Sequence, residues 1–312
     1  MSVALLCPGQ GAQKVGMGRD LAEGFPEARD AFAAIDEALG FALSRVMWEG
    51  PEDLLTRTDH AQPGILAHSA AVWAVVGKTL SPQVAAAAGH SLGEYSAYVA
   101  AGAFEAAEGA RLVRRRGELM HEAGTLRAGT MAAVMGLDAD EVARVCAEAS
   151  HGDDVVVAAN LNGPDQTVIS GSPPAVERAG TLLKGAGAKR VIPLKVSGAF
   201  HSPLMAPAQQ GLAEALADAP MRAPHFPVVA NATARAVRDV PAARAQLSLQ
   251  LTSPVRWVES VRTLAELAGG SPRFVEIGPG AVLTGLAKRV VPGATTVNLG
   301  TAAEVRAFLE AA

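Results

Sequence analysis

A serine set between glycines, Gly89-His90-Ser91-Leu92-Gly93, is the first place in this sequence where covalent chemistry is legible. The spacing matches G-x-S-x-G, the nucleophile elbow, in which a sharp strand-to-helix turn pushes a hydroxyl outward. The flanking glycines remove side chains that would clash there. Residues 83–88 read as a buried strand and 94–101 as a helix, which is the context the motif requires. The free N–H groups and positive dipole end of that helix would face developing negative charge. A glycine-rich turn with a capping serine is the plainer reading of the same five residues.

A serine needs a base to take its proton. Of seven histidines, His90 adjoins Ser91 and should point the other way, and His60, His68, His121, His151 and His225 lie in helical or loop contexts without other polar signals. His201 stands out, in 196–203, where a strand leaves one pattern of elements and another resumes, a place that often borders a cleft. A histidine at a helix N-terminus is its plainer reading. A hydrolase triad of this kind runs Ser, Asp or Glu, His. The intervening acids Asp138, Asp140, Asp153, Asp154 and Asp165 fall in cap or loop positions, and none ends a main-sheet strand.

Pro8-Gly9-Gln10-Gly11-Ala12-Gln13 follows the first strand. It lacks the third glycine of a dinucleotide fingerprint. An oxyanion hole fits better, with the Gln10 N–H beside that of Leu92, the residue after the serine. Arg114-Arg115-Arg116 lies on a helix, where neighbours point about 100° apart. At most one or two of them can enter a cleft, and an inward arginine would grip a carboxylate as a bidentate fork. Arg114 and Arg115 read as a solvated face.

The elements that must position these groups come from a chain of 312 residues, 49% hydrophobic and only 4% aromatic, which favours helix-rich α/β packing over an all-β sandwich. The middle of the chain reads in a β-α-β-β-α-β order: 131–137, a helix from Asp138 to about 149, 155–159, 166–170, a helix at 173–185, and 190–196. That is the ferredoxin-like order. The α/β pattern resumes after 200, with helices at 203–217, 240–251, 255–268, 281–291 and 302–311 and strands at 226–230 and 274–277. The expected domains are a core of 1–126 and 198–312 and an inserted subdomain of 127–197. A net charge of −4 argues against nucleic acid. No stretch approaches 18 apolar residues, and the apolar run at the start is too short for a signal peptide. Cys7 and Cys146 are far apart and show no metal or disulfide spacing, so a reducing, cytoplasmic setting is expected. A monomer is the default.

Taken together, PGQGAQ at 8–13, GHSLGEYSA at 89–97, RRRGELM at 114–120, ANLNGPDQTVISG at 159–171, GAFHSPLM at 198–205, QLTSPVRW at 250–257 and EIGPG at 276–280 resemble the family of malonyl-CoA:acyl carrier protein transacylases of bacterial fatty-acid synthesis. They are also similar to the acyltransferase domains of polyketide synthases. The resemblance implies an α/β-hydrolase-like core with a mainly parallel sheet and a ferredoxin-like subdomain. It implies Ser91 as acylated nucleophile, His201 as its base, and the backbone carbonyl of Gln250, in place of a triad acid, orienting the histidine. Gln10 and Leu92 would give the oxyanion hole, and Arg116 would hold the malonyl carboxylate. Phe200 would stand near the acyl α-carbon and favour malonyl over methylmalonyl, a difference of one methyl worth about 1–3 kcal/mol. Gly198, where related domains often carry a bulky residue, would widen the pocket. No metal or resident cofactor is implied: coenzyme A arrives as the thioester substrate, and phosphopantetheine on the acceptor. The acceptor, acyl carrier protein, is typically acidic, so Lys184, Lys189, Arg190, Lys195, Lys288 and Arg289 are candidate rim contacts. A chain without fused modules leans toward fatty-acid synthesis, with a trans-acting polyketide acyltransferase, a serine (thio)esterase and a non-enzymatic carrier-docking module as alternatives.

Overall fold

The computed structural model describes residues 2–196, 198–270 and 272–311, so Ser197, the last residue of the expected insertion, lies outside them. The pentapeptide VALLC forms β1 (Val3–Cys7), buried along its whole length as a strand covered on both faces must be. It lies inside a six-stranded sheet of order β10-β9-β1-β2-β7-β8. The other members are β2 (Val84–Gly89), β7 (Val228–Val229), β8 (Ala236–Val237), β9 (Arg273–Ile277) and β10 (Thr295–Leu299). All neighbours pair in parallel except β7 with β8. The long helices Thr58–Leu80 and Ala106–Leu126 contribute to the larger core, and Trp257–Leu267 and Val282–Val290 to a second one. Among the described residues no helix is long and apolar enough to cross a membrane.

The second sheet is antiparallel, in the order β4-β5-β3-β6: β3 (Thr130–Met135), β4 (Val156–Gly163), β5 (Gln166–Gly171) and β6 (Arg190–Pro193). The helices Ala139–Ala149 and Pro173–Gly185 share its own apolar core. With β3 and β5 central and β4 and β6 outer, this is the ferredoxin-like arrangement. Asp138 caps its helix by accepting the Glu141 N–H at 2.8 Å. β4 is tied to the segment before the Trp257–Leu267 helix, where Val255 donates to the Ala159 carbonyl and accepts from the Leu161 N–H, at 2.8 and 2.9 Å.

Several elements differ from the sequence expectation. The strand expected at 155–159 runs on to Gly163, carrying Asn160 and Asn162 beside the site. The helix expected from 255 starts at Trp257, because Val255 is taken by the bridge to β4. The segment 203–217 opens with a 3-10 turn, Pro203–Met205. The strand expected at 190–196 stops at Pro193. β10 was not foreseen: TTVNL is polar and only partly buried at the sheet edge, so it lacks the apolar run that marks a core strand.

Candidate active site

β2 ends at Gly89 and the helix Gly93–Ala100 begins four residues later. A side chain at Gly93 would put its Cβ 2.2 Å from the Cys7 carbonyl oxygen, and one at Gly89 would sit 1.9 Å from Gly93, so both glycines are sterically required. Ser91 sits on the turn with φ 53°, a left-handed conformation that disfavours a non-glycine residue by about 1–2 kcal/mol. Asn231, just beyond β7, holds the turn from behind. Its Oδ1 accepts the Ser91 N–H at 2.7 Å and its Nδ2 donates to the Gly89 carbonyl at 2.7 Å. Buried Glu94 in turn accepts the Asn231 N–H at 3.0 Å.

His201, also left-handed with φ 58°, places Nε2 2.8 Å from Ser91 Oγ. Its Nδ1 is 3.0 Å from the Gln250 backbone carbonyl. A carbonyl can only accept, so Nδ1 carries the proton and Nε2 turns its lone pair to the serine hydroxyl. Burial first, and then the Arg116 charge, push the His201 pKa down to about 3. The ring is therefore neutral and ready to receive a proton. Among the described residues no carboxylate reaches it: Asp138 caps a helix and Asp165 pairs with Arg289.

Arg116 leaves the helix Ala106–Leu126 with its guanidinium wholly buried. Nη1 donates to Gln62 Oε1 at 2.7 Å. Nη2 donates to Gln250 Oε1 at 2.9 Å and to Ser91 Oγ at 3.1 Å. The guanidinium also lies 5.8 Å from the centre of the Tyr95 ring. Burial lowers its pKa, yet an arginine stays cationic. Among the described residues it has no salt-bridged carboxylate, so an incoming anion would complete it. Arg115 is exposed between Glu118 and Glu122, as expected. Arg114 is not solvated as expected. It donates to the Asp59 carbonyl at 2.9 Å and to Glu118 at 2.8 Å, fastening one long helix to the other.

Ser91 and His201 open on a cavity of 320 Å³. One wall is apolar, with Met120, Met131, Val168 and Phe200; another is polar, with Gln10, Asn160 and Asn162. Among the described residues neither the Gln10 nor the Leu92 N–H has an acceptor, and the Gln10 side chain is tied to Thr58 at 3.3 Å. His90 turns from the serine to Asn162, at 2.8 Å, although its ring borders the same cavity. Gly198 does not widen the pocket as expected. A Cβ there would lie 2.7 Å from Phe200 Cε1, so the phenyl ring already fills that space. Of the candidate rim cations, Lys195 borders the cavity, while Arg289 is engaged by Asp165. No group of three or more metal-ligating side chains occurs among the described residues.

The sequence reading missed Gln62, Glu94, Asn231 and the side chain of Gln250. Asn231 carried a signal, standing at the carboxyl end of a core strand, where α/β sites form. Glu94 carried one too, as an acid among apolar neighbours just after the elbow. Gln62 sits in the second turn of its helix with nothing to mark it.

The sequence matches the acyl transferase domain family over residues 4–303. The malonyl CoA-acyl carrier protein transacylase of Salmonella typhimurium is 43% identical over 306 residues, 98% of each chain. The crystal structure of an acyl carrier protein S-malonyltransferase from Vibrio cholerae superposes with a TM-score of 0.93 at 43% identity, covering 99% of this chain and 100% of that one. A malonyl-transacylase solved in complex with its type II PKS acyl-carrier protein gives 0.94 at 41% identity, with 100% of both chains covered.

Proposed function

The chain belongs to the acyl transferase family, and from that premise we propose that it moves a malonyl group from malonyl-CoA to the phosphopantetheine thiol of acyl carrier protein, through a malonyl-serine ester on Ser91, in fatty acid biosynthesis. The observation that carries this reading is the convergence on Ser91 Oγ of a neutral imidazole and a guanidinium that has no carboxylate partner among the described residues. His201 Nε2 takes the hydroxyl proton as Oγ attacks the thioester carbonyl. The developing oxyanion meets the Gln10 and Leu92 N–H groups. The tetrahedral intermediate collapses, the C–S bond breaks, and the proton on His201 passes to the departing coenzyme A thiolate. The carrier thiol then gives its proton to His201 and attacks the ester, the C–O bond to Oγ breaks, and His201 returns the proton to Oγ, regenerating Ser91. This is ping-pong catalysis.

Arg116 selects an acyl group that bears a carboxylate, exchanging the Ser91 hydroxyl as a partner for the malonyl anion. A charge-assisted bidentate pair of this kind is worth about 1.5–3 kcal/mol. Phe200 limits the room at the α-carbon. On this reading the protein acts as a cytoplasmic monomer without a resident cofactor, with a core of 1–126 and 198–312 and an insertion of 127–197 that completes the cavity wall. The match to a transacylase bound to a type II PKS carrier supports a second reading of the acceptor alone, a polyketide carrier in place of the fatty-acid one. Incubation with malonyl-, acetyl- and methylmalonyl-CoA, followed by intact-protein mass and transfer to each carrier, tests both. A malonyl adduct that passes to carrier thiol faster than to water is expected. Hydrolysis unaffected by carrier would instead mark a thioesterase.

A further inference from the structure

Among the described residues two glutamates are fully buried, Glu94 and Glu276. Glu276 is accounted for, since its oxygens accept the Leu283 and Thr284 N–H groups at the start of a helix. Glu94 has no part in the acyl-transfer steps above, yet its Oε2 accepts from the Asn231 backbone at 3.0 Å and from Gln250 Nε2 at 2.7 Å. Gln250 Nε2 also donates to the Ser91 carbonyl at 3.0 Å. Both amide hydrogens of Gln250 are thus directed at oxygens, which leaves its Oε1 facing Arg116 Nη2 at 2.9 Å. A flipped amide would aim N–H groups at the guanidinium and an oxygen at the Glu94 oxygen, losing three hydrogen bonds and setting like charges together. Burial raises the Glu94 pKa to about 7. A proton on Oε1, which has no partner among the described residues, would leave Oε2 an acceptor, so the arrangement survives its titration.

We propose that Glu94 is a positioning residue for acyl selection, fixing the Gln250 amide so that its oxygen holds the Arg116 fork in place for the substrate carboxylate. The inference rests on the malonyl reading. It makes Gln250 bifunctional: its backbone orients the base, and its side chain, set by Glu94, orients the selector. The effect is specific to acyl groups that carry a carboxylate, which separates it from a general loss of fold.

The test measures acylation of Ser91 by malonyl-CoA and by acetyl-CoA in the full chain and in Glu94→Leu, Glu94→Gln and Gln250→Met. Leucine keeps the volume and removes the acceptor, and should lower the malonyl-to-acetyl ratio about tenfold, as a misaligned arginine fork would. Gln250→Met keeps the backbone carbonyl on His201 and should lower the ratio by a similar factor. Glu94→Gln should keep most of it, because the Asn231 N–H cannot flip and holds the amide oxygen where Oε2 stood. Losses in equal proportion for both acyl groups, or a Glu94→Gln variant as unselective as Glu94→Leu, would overturn the proposal. If Glu94→Leu does not fold, Gln250→Met still decides, since a proportional loss there removes the route through the amide. A native chain without malonyl preference would instead sink the malonyl reading itself.

Discussion

Ser91 Oγ and His201 Nε2 meet at 2.8 Å from two backbones that are both left-handed, φ 53° and 58°. Neither residue is glycine, so each holds strain that the surrounding structure must offset. The strain at Ser91 can be read separately from the chemistry. Ser91→Ala and Ser91→Gly both remove the hydroxyl, and intact-mass measurement should find no malonyl adduct on either. Chemical unfolding should then show the glycine variant about 1 kcal/mol more stable than alanine, because only glycine is at ease at this φ. Equal stabilities would mean that the turn carries no strain, and a persisting adduct would mean another nucleophile.

Arg116 makes three side-chain hydrogen bonds to neutral groups, and the selectivity of the site should depend on its fork. Arg116→Ala should reduce malonyl transfer about 10- to 100-fold, the equivalent of a charge-assisted pair, while acetyl transfer falls far less. Arg116→Lys should not restore malonyl transfer, since a point charge cannot pair bidentately. Competition assays with the two thioesters read this directly. A lysine variant with full malonyl preference would show that charge, not the fork, selects.

The skeleton of this site was legible because its strongest signals are local. The elbow announces itself through two glycines that close packing demands, and the β-α-β-β-α-β order through strand and turn periodicity. What was illegible is polar and long-range. Asn231 reaches the elbow across 140 residues and Gln62 reaches Arg116 across 54, and no local pattern records either distance. Helix geometry alone could not choose among Arg114, Arg115 and Arg116, and the structure shows why the question was hard. Arg114 also faces inward, but onto the neighbouring helix. Gly198 misled because a missing side chain was read as space, when Phe200 occupies it.

Burial of neutral histidines gives the protein a signed response to acid. His201 is lowered to about 3 and His68 to about 4, both chiefly by burial. Between those values and 6.5 the unfolded chain binds protons that the folded chain refuses, so stability falls as pH drops through that window. Glu94, raised to about 7, and Glu276, raised as well, act in the opposite sense above the ordinary 4.5, but His90 and His60 are also lowered, so these are two groups against four. Urea midpoints should therefore be lower at pH 5 than at pH 7. The acid limb of kcat/KM for malonyl transfer should lie below the ordinary histidine value, because His201 stays unprotonated there. An acid limb at or above 6.5 would contradict a buried, neutral base.

Phe200 closes the cavity and also fills the place that a side chain at Gly198 would take, so the two positions should act on substrate size as one unit. Phe200→Ser leaves both spaces open, and the extra methyl of methylmalonyl then has somewhere to go. One methyl in an apolar pocket is worth about 1–3 kcal/mol, so the methylmalonyl-to-malonyl ratio should rise at least about tenfold. Gly198→Ala works the other way. Its Cβ would stand 2.7 Å from Phe200 Cε1, and the ring must shift. In that single variant methylmalonyl acceptance should fall or hold, and in Gly198→Ala with Phe200→Ser it should rise again, because the obstructing ring is gone. Ratios of kcat/KM for the two thioesters across the three variants check the coupling. Additive effects would mean that the phenyl ring and the missing side chain act on the acyl group independently, and that the contact between them does not set pocket width.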